Sequence, residues 1–399
     1  MNGSKKAIVI GGGPAGLVAA ARLAEGGVET TVLEAASHFG GRAASESRDG
    51  FFLNQGPHAL YIGGAAGREL RAMGVELEWW NPTSINSVFP RGGKARRSLG
   101  GTLGLIRLLR PVLRSDPEEL RAISTSEWLQ RTLRGEKARA AAAALVRVAT
   151  FVADQESLSA DVAAIQLRIA LFPGVRYLEG GWQSLVDGLV AKAEENGATL
   201  RTRAAARLLH QEAGGWTVAL DEETLHADVL VAAAGEPADV EKLLGERTPP
   251  PPGPAAEVST LDLGLRRLPR RTRRFALGVD QPTYLSRHSA PDHRDGALLS
   301  LASYTREPRE ALEEMADVVQ PGWRKQVTFE RFLPRMVPVS AIATPATGGL
   351  AGRPEVDRGE GLYLAGDWVG PEGWLVDAAI ASGAAAAAAA LRKPAPALA

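Results

Sequence analysis

Gly11-Gly12-Gly13-Pro14-Ala15-Gly16 is the stretch that most narrows what this chain can become. Its glycines fall at G-x-G-x-x-G spacing, at Gly11, Gly13 and Gly16. Ahead of it, Ala7-Ile8-Val9-Ile10 is a short apolar run that reads as a buried parallel strand. Behind it, Leu17 to Glu25 has helical spacing, with Leu17, Ala20, Ala21 and Leu23 on one side. A second strand, Thr30-Thr31-Val32-Leu33, ends at Glu34, eighteen residues after Gly16. Strand, glycine turn, helix, strand and acid in that order form the dinucleotide-binding fingerprint.

Each position has a physical reason. Gly11 permits the tight turn out of the strand, Gly13 lets a pyrophosphate approach the backbone, and Gly16 lets the helix pack closely on the sheet. Pro14 and Ala15 open the helix, whose free N–H groups and positive dipole end face the phosphates. Glu34 can accept hydrogen bonds from a ribose, and its charge would repel a 2′-phosphate.

Two further segments carry a resemblance. After Glu34 comes Ala35-Ala36-Ser37-His38-Phe39-Gly40-Gly41-Arg42, an acid followed by a Gly-Gly-Arg turn. Near the other end, Gly361-Leu362-Tyr363-Leu364-Ala365-Gly366-Asp367 is followed by Val369-Gly370-Pro371-Glu372-Gly373-Trp374-Leu375-Val376-Asp377 and an alanine-rich helix from Ala378 to Leu391. Together these segments resemble the two FAD signatures of the flavin amine oxidase and phytoene desaturase superfamily, which includes protoporphyrinogen oxidase-like proteins. The resemblance implies FAD as cofactor, with Gly41 and Arg42 along its pyrophosphate and adenosine half. It places Ala35 beside them, an amide near Ala206 at the adenine, and Ala234 on a strand passing the cofactor. It puts Gly366 and Asp367 at the pyrophosphate and ribityl chain, and Leu375 and Val376 at the pyrimidine end. There the helix N-terminus would stabilise negative charge on the reduced flavin. Gly56-Pro57-His58 matches a turn that passes the flavin ring. Where the family often has Glu-Gly-Ala, this chain has Asp377-Ala378-Ala379. Without cysteine a cysteinyl-linked flavin is excluded, so the FAD is expected to be non-covalent.

The expected fold class is α/β: a Rossmann-type, three-layer FAD-binding domain with a parallel sheet, interleaved with an α+β substrate domain containing an antiparallel sheet. The FAD domain is expected to be discontinuous, over 1–74, 180–250 and 352–399. The substrate domain takes 75–179 and 255–351, and the proline-rich 249–254 is a stiff linker. Helical patterns run from Leu103 to Leu113, Pro117 to Ile123, Thr125 to Leu133 and Lys137 to Val152. Ser124-Thr125-Ser126-Glu127 supplies N-cap chemistry for the third. Thr199 to Thr202 reads as a strand continuing through Ala206 to Leu209. Strands are also expected at Val258 to Leu265, Phe275 to Val279, Leu298 to Ser303 and Gln326 to Phe332, with a helix from Glu307 to Val318.

Lysine plus arginine equals aspartate plus glutamate at 46 each, so global charge does not point to nucleic acid. The N-terminus lacks a signal-peptide apolar core and no stretch is apolar enough to span a bilayer, so a cytoplasmic protein is expected. Leu99 to Arg114 mixes leucines with Arg107, Arg110 and Arg114. It reads either as a core helix of the substrate domain or as a peripheral membrane contact.

The resemblance implies hydride removal from a substrate carbon, with oxygen or a quinone reoxidising the flavin. Two reactions lead, amine oxidation and desaturation of a small lipophilic, isoprenoid- or polyene-like substrate, with a protoporphyrinogen-oxidase-like reaction as a further alternative. Amine oxidases usually place a lysine near the flavin, and the matching strand Val258-Ser259-Thr260-Leu261-Asp262-Leu263 has none. Lys325 is the later candidate should the protein oxidise amines, and aromatic content is only 6%. Both observations lean to desaturation. His58 is the histidine to watch, in a chemical or a structural role. A non-catalytic FAD-binding protein is the alternative of a different class.

Overall fold

The computed structural model describes residues 4–82, 88–96, 109–110, 112–212, 214–290 and 296–392. The opening apolar run becomes the strand Lys6–Ile10, at the centre of a five-stranded parallel sheet. Glu29–Leu33 and Thr199–Arg201 continue the sheet on one side, Val229–Ala232 and Leu362–Leu364 on the other. Such unbroken apolar strands need both faces covered. Pro14–Glu25, Gln183–Glu195 and Val376–Arg392 cover one face, burying Val9, Val32, Val229 and Val231. On the other face Ile8, Ile10, Leu230, Leu362 and Leu364 meet Trp216 and Val218. These two residues belong to a three-stranded antiparallel sheet, Leu208–Glu212, Gly215–Ala219 and Thr224–Ala227.

The alanines of the last helix let it lie against the first. A Cβ at Gly383 would stand 2.2 Å from the Ala15 carbonyl oxygen, and Ala386, Ala387 and Ala390 are fully buried beside it. Close approach brings the N-termini of both helices to the same edge of the parallel sheet. Gly16 works the same way inside the first turn, where a Cβ would stand 1.9 Å from the Gly11 carbonyl oxygen.

A second five-stranded sheet is wholly antiparallel, in the order Phe275–Leu277, Thr283–Arg287, Ala297–Ser303, Ala256–Leu265 and Val327–Val339. Helix Arg309–Val319 packs Leu312, Met315, Ala316 and Val319 on one face of it. Thr125–Thr132, Glu136–Thr150 and Ala160–Leu171 form a separate helical cluster. As its sequence promised, Ser124 caps the first of these, its Oγ accepting from the Glu127 N–H at 3.1 Å.

Several expectations are corrected. The strand expected from Thr199 to Leu209 is two: it ends at Arg201 and restarts at Leu208 in a different sheet. Arg203 takes φ +53°, and the chain crosses the sheet edge between the two pieces. Pro117 to Ile123 shortens to a single 3-10 turn, Glu118–Leu120. Helix Ala160–Leu171 was not anticipated, because Ala160, Val162, Ala163, Ala164 and Leu167 are buried along with Asp161 and Gln166, leaving no polar stripe to mark a period. The short strand Thr283–Arg287 and the helix Pro237–Leu244 were also missed. The proposed amphipathic stretch from Leu99 to Arg114 lies largely outside the described residues. Among the described residues no helix is long and apolar enough to cross a membrane.

The helix contact yields a prediction. Gly383→Ala is expected to destabilise the fold by about 1–3 kcal/mol through overpacking. It should appear as a lower urea midpoint with an unchanged slope. An unshifted midpoint would mean the two helices are not held at this distance.

Candidate functional site

A cavity of about 740 Å³ runs along the edge of the parallel sheet, between it and the antiparallel sheet. That volume lies within the usual range for small-molecule sites. Of the residues proposed to hold a cofactor, all line it except Gly16 and Gly56. These two act one step back. Gly16 admits the Gly11 carbonyl, and Gly56, at φ +80°, takes a left-handed conformation that favours glycine, against the end of the Met336 side chain. Gly11 itself sits at φ +108°, where a Cβ would strike the Ala233 carbonyl oxygen at 2.3 Å. Gly13 differs: a Cβ there would meet only the Gly40 carbonyl oxygen, at 3.9 Å. Open space therefore lies directly over the first helix N-terminus.

One end of the cavity is polar. The Glu34 carboxylate accepts from the Gly12 N–H at 2.8 Å and the Ala36 N–H at 2.7 Å. Two backbone donors hold it in one orientation and leave further lone pairs for a ligand. The crossing from Arg201 to Leu208 supplies Ala204, Ala205, Ala206 and Arg207 to the same wall. Glu236, Asp239 and Lys242 add charge there. They come from helix Pro237–Leu244, whose Glu236 and Asp239 form a capping box, a signal the sequence carried unread.

The middle is built around one ion pair. Arg42 Nη2 lies 2.6 Å from Asp367 Oδ1, and Arg42 Nη1 donates to the Val337 carbonyl at 3.2 Å. Ser340 completes the site by donating its N–H at 2.8 Å and its hydroxyl at 2.7 Å to Asp367. Burial would raise the Asp367 carboxyl, but Arg42 and Ser340 outweigh it and hold it below the ordinary carboxylate range. Behind Asp367, the buried Arg353 donates to the carbonyls of Asp367, Glu372 and Gly373, each at 3.0 Å. Burial lowers its guanidinium to about 10 against the pull of Asp367 and Asp161, so it stays charged at neutral pH. Arg353 fixes the loop that delivers Leu375, at φ +56°, and Val376 to the cavity wall. No motif pointed to it.

The other end is uncharged. His58, Tyr61, Phe151, Trp182, Met336 and Val337 line it. His58 Nδ1 donates to the Gly56 carbonyl at 2.9 Å, and its ring meets Trp182 edge-on at 4.8 Å. Burial lowers the His58 pKa, and the charges of Arg42 and Arg331 lower it further. Tyr61 donates its hydroxyl to the Ala149 carbonyl at 3.0 Å. Phe151 and Trp182 carried no signal in the sequence, because only the fold brings their segments here. Lys325 is not among the lining residues; it is exposed on the turn Trp323–Gln326, beyond the antiparallel sheet.

Comparison with known proteins adds the following. The model of the family described as flavin containing amine oxidoreductase matches residues 14–264. A phytoene desaturase from Cercospora nicotianae is 42% identical over 72 residues, 18% of this chain and 12% of that protein. The chain thus matches about an eighth of the length of the curated relatives. Among solved structures, cyclohexylamine oxidase from Brevibacterium oxydans superposes with a TM-score of 0.74 at 17% identity, covering 97% of this chain and 99% of that one. An oxidoreductase from Methanosarcina mazei gives 0.73 at 18% identity, over 95% and 99%.

The ion pair makes a prediction with a defined sign. Arg42→Ala leaves Asp367 buried with Ser340 as its remaining partner. Because Arg42 opens onto the cavity, the expected loss at pH 7 is about 2 kcal/mol, below that for a fully buried pair. A depressed carboxylate contributes stability above its unfolded value of about 3.9 and loses it as pH falls through the folded value. The gap between wild type and variant should therefore narrow below about pH 4 in urea titrations. A gap independent of pH would exclude this account.

Proposed function

The chain belongs to the flavin-containing amine oxidoreductase family, and within it we propose an FAD-dependent enzyme that dehydrogenates a neutral, lipophilic substrate. Family membership makes it an FAD-dependent oxidoreductase and sets aside the non-catalytic binding protein. The finer reading rests on one observation: among the described residues, the end of the cavity built by His58, Tyr61, Phe151, Trp182 and Met336 carries no carboxylate and no lysine.

The residues present suit FAD. Open space over Gly13 would admit a pyrophosphate to the helix N-terminus, and Glu34 would take the ribose hydroxyls. Arg42 would offer its guanidinium to phosphate oxygens, and Asp367 would accept from a polyol chain. No cysteine is available for a thioether link, which supports non-covalent binding. When bound, FAD supplies the two-electron acceptor for hydride leaving a substrate carbon.

The chain's own residues then do three things. Tyr61, Phe151, Trp182 and Met336 exclude water from the donor and hold it by apolar contact. His58 stays neutral beside Arg42 and Arg331, so it puts no charge beside an apolar donor. Asp367, pinned by Arg42 and Ser340, keeps its own negative charge in the middle of the cavity, away from the donor. A protonated amine would enter this end without a counter-charge.

Amine oxidation is the second reading, and one observation favours it. Aromatic content is low overall, yet three aromatic side chains meet at the donor end, so composition alone does not weigh against an amine. Anaerobic mixing of the yellow protein with polyenes, porphyrinogens and amines separates the two. Bleaching of the flavin bands by an isoprenoid or polyene is the expected result; bleaching by amines alone would replace it. Lys325→Ala should leave the bleaching rate within about twofold, since the side chain lies outside the cavity.

A further inference from the structure

Asp377 stands in the first turn of the helix Val376–Arg392, directly after Leu375 and Val376 on the cavity wall. Its side chain turns away from the cavity and is completely buried. Oδ1 accepts from the Ala66 N–H at 2.7 Å, in the first turn of the helix Ala65–Ala72. The carboxylate rests on Gly64, where a Cβ would stand 2.2 Å from Oδ2 and leave it no room. Oδ2 has no hydrogen-bond partner among the described residues. One carboxylate thus sits between the N-termini of two helices, with half of its acceptor capacity unused. An orphaned buried oxygen is costly when it is ionised and much less so when it carries a proton.

Its electrostatic surroundings are few. From the helix below it comes Arg68, from the loop ahead of it Glu372, and from the strand Leu60–Tyr61 the phenol of Tyr61. Arg68 pairs with Glu372 at the surface, so the attraction that its charge offers Asp377 is offset by the repulsion from Glu372. Burial raises the carboxyl to about 7, with Glu372 adding to it and the Ala66 N–H and Arg68 opposing.

We propose that Asp377 is a proton-exchanging positioning residue that sets the charge of the cavity wall at Leu375 and Val376. Ionised, it cancels the positive end of the Val376–Arg392 helix. Protonated, it leaves that end exposed to the cavity, where it favours negative charge. The inference rests on the FAD reading given above. Were FAD held there, its two-electron reduction by hydride would add one negative charge, and that charge would make ionised Asp377 less favourable. Asp377 then takes one proton from solvent as the flavin is reduced and returns it on reoxidation. The electrons, and the proton carried with them as hydride, come from the substrate. The same carboxyl also holds Ala66 and Val376 in register, whether or not it is charged.

The test is the midpoint potential of the FAD-loaded protein, measured at equilibrium with mediators from about pH 5.5 to about pH 8.5, beside Asp377→Asn. The amide keeps an acceptor for the Ala66 N–H and cannot ionise. Around neutrality the wild-type potential should fall with pH more steeply than that of the variant. The difference should approach tenfold in the equilibrium constant per pH unit, about 30 mV for a two-electron couple. The two curves should meet at the acid end, where Asp377 is already neutral, with the variant higher at the alkaline end. Parallel curves from two yellow proteins would overturn the role of Asp377 and leave the FAD reading standing. A wild-type preparation that takes up no FAD would overturn both. Should the variant fail to fold, wild-type protein carrying carboxyl-labelled aspartate decides the matter. Its reduced-minus-oxidised infrared spectrum at neutral pH should gain a label-sensitive protonated carboxyl band, and no gain would overturn the proposal.

Discussion

The ion pair between Arg42 and Asp367 is the interaction on which the rest of the site depends. Its partners are 325 residues apart in the chain, one on the Gly-Gly-Arg turn and one at the end of the last parallel strand. Ser340 and Val337 bring in the long strand Val327–Val339 and the loop after it, so three segments distant in sequence converge on one buried carboxylate. Charged groups in such a place are favourable only when every lone pair is used. Here Asp367 has Arg42 and both donors of Ser340. The two sheets are thereby fixed relative to each other at the point where the cavity passes between them.

The polar half of this site was legible in the sequence because its residues are constrained by backbone geometry. Gly11 needs a positive φ, Gly13 faces open space and Glu34 must reach two amides, and such demands leave local marks. Ala206 and Ala234 could be placed only through resemblance, since an alanine carries no chemical signature. Phe151, Trp182 and Met336 were not legible, because nothing about an apolar residue says which cavity it faces. Arg353 was hidden for another reason: it binds carbonyl oxygens, which every residue possesses. Helix Ala160–Leu171 escaped for want of a solvent-facing side, and the break at Arg203 because a strand period continues on paper where the backbone turns.

Charge is divided along the cavity by its sources. The parallel sheet and the loops around it deliver Glu34, Arg42, Arg207 and Asp367, where hydrogen-bond partners, opposite charges or solvent stabilise them. The antiparallel sheet delivers Met336 and the helical cluster Phe151, while Tyr61 and Trp182 come from the strand Leu60–Tyr61 and the start of the helix Gln183–Glu195. The arrangement lets one cavity take a molecule that is ionic at one end and apolar at the other without burying an unpaired charge. Arg353 and Asp377 stand just behind the wall, one a buried cation that holds the loop before the last helix by its carbonyls, the other a buried acid on that helix with one oxygen free.

The packing of Gly383 against Ala15 bears on how the molecule is made. The strand Leu362–Leu364 and helix Val376–Arg392 that complete the sheet of the first strand and glycine turn are made more than three hundred residues after them. At about 5–20 residues per second, the nascent chain keeps an open sheet edge and an uncovered alanine-lined helix face for tens of seconds. The cavity is therefore completed only once the helix Val376–Arg392 has been made, and until then the unfinished sheet is a surface for chaperones to guard.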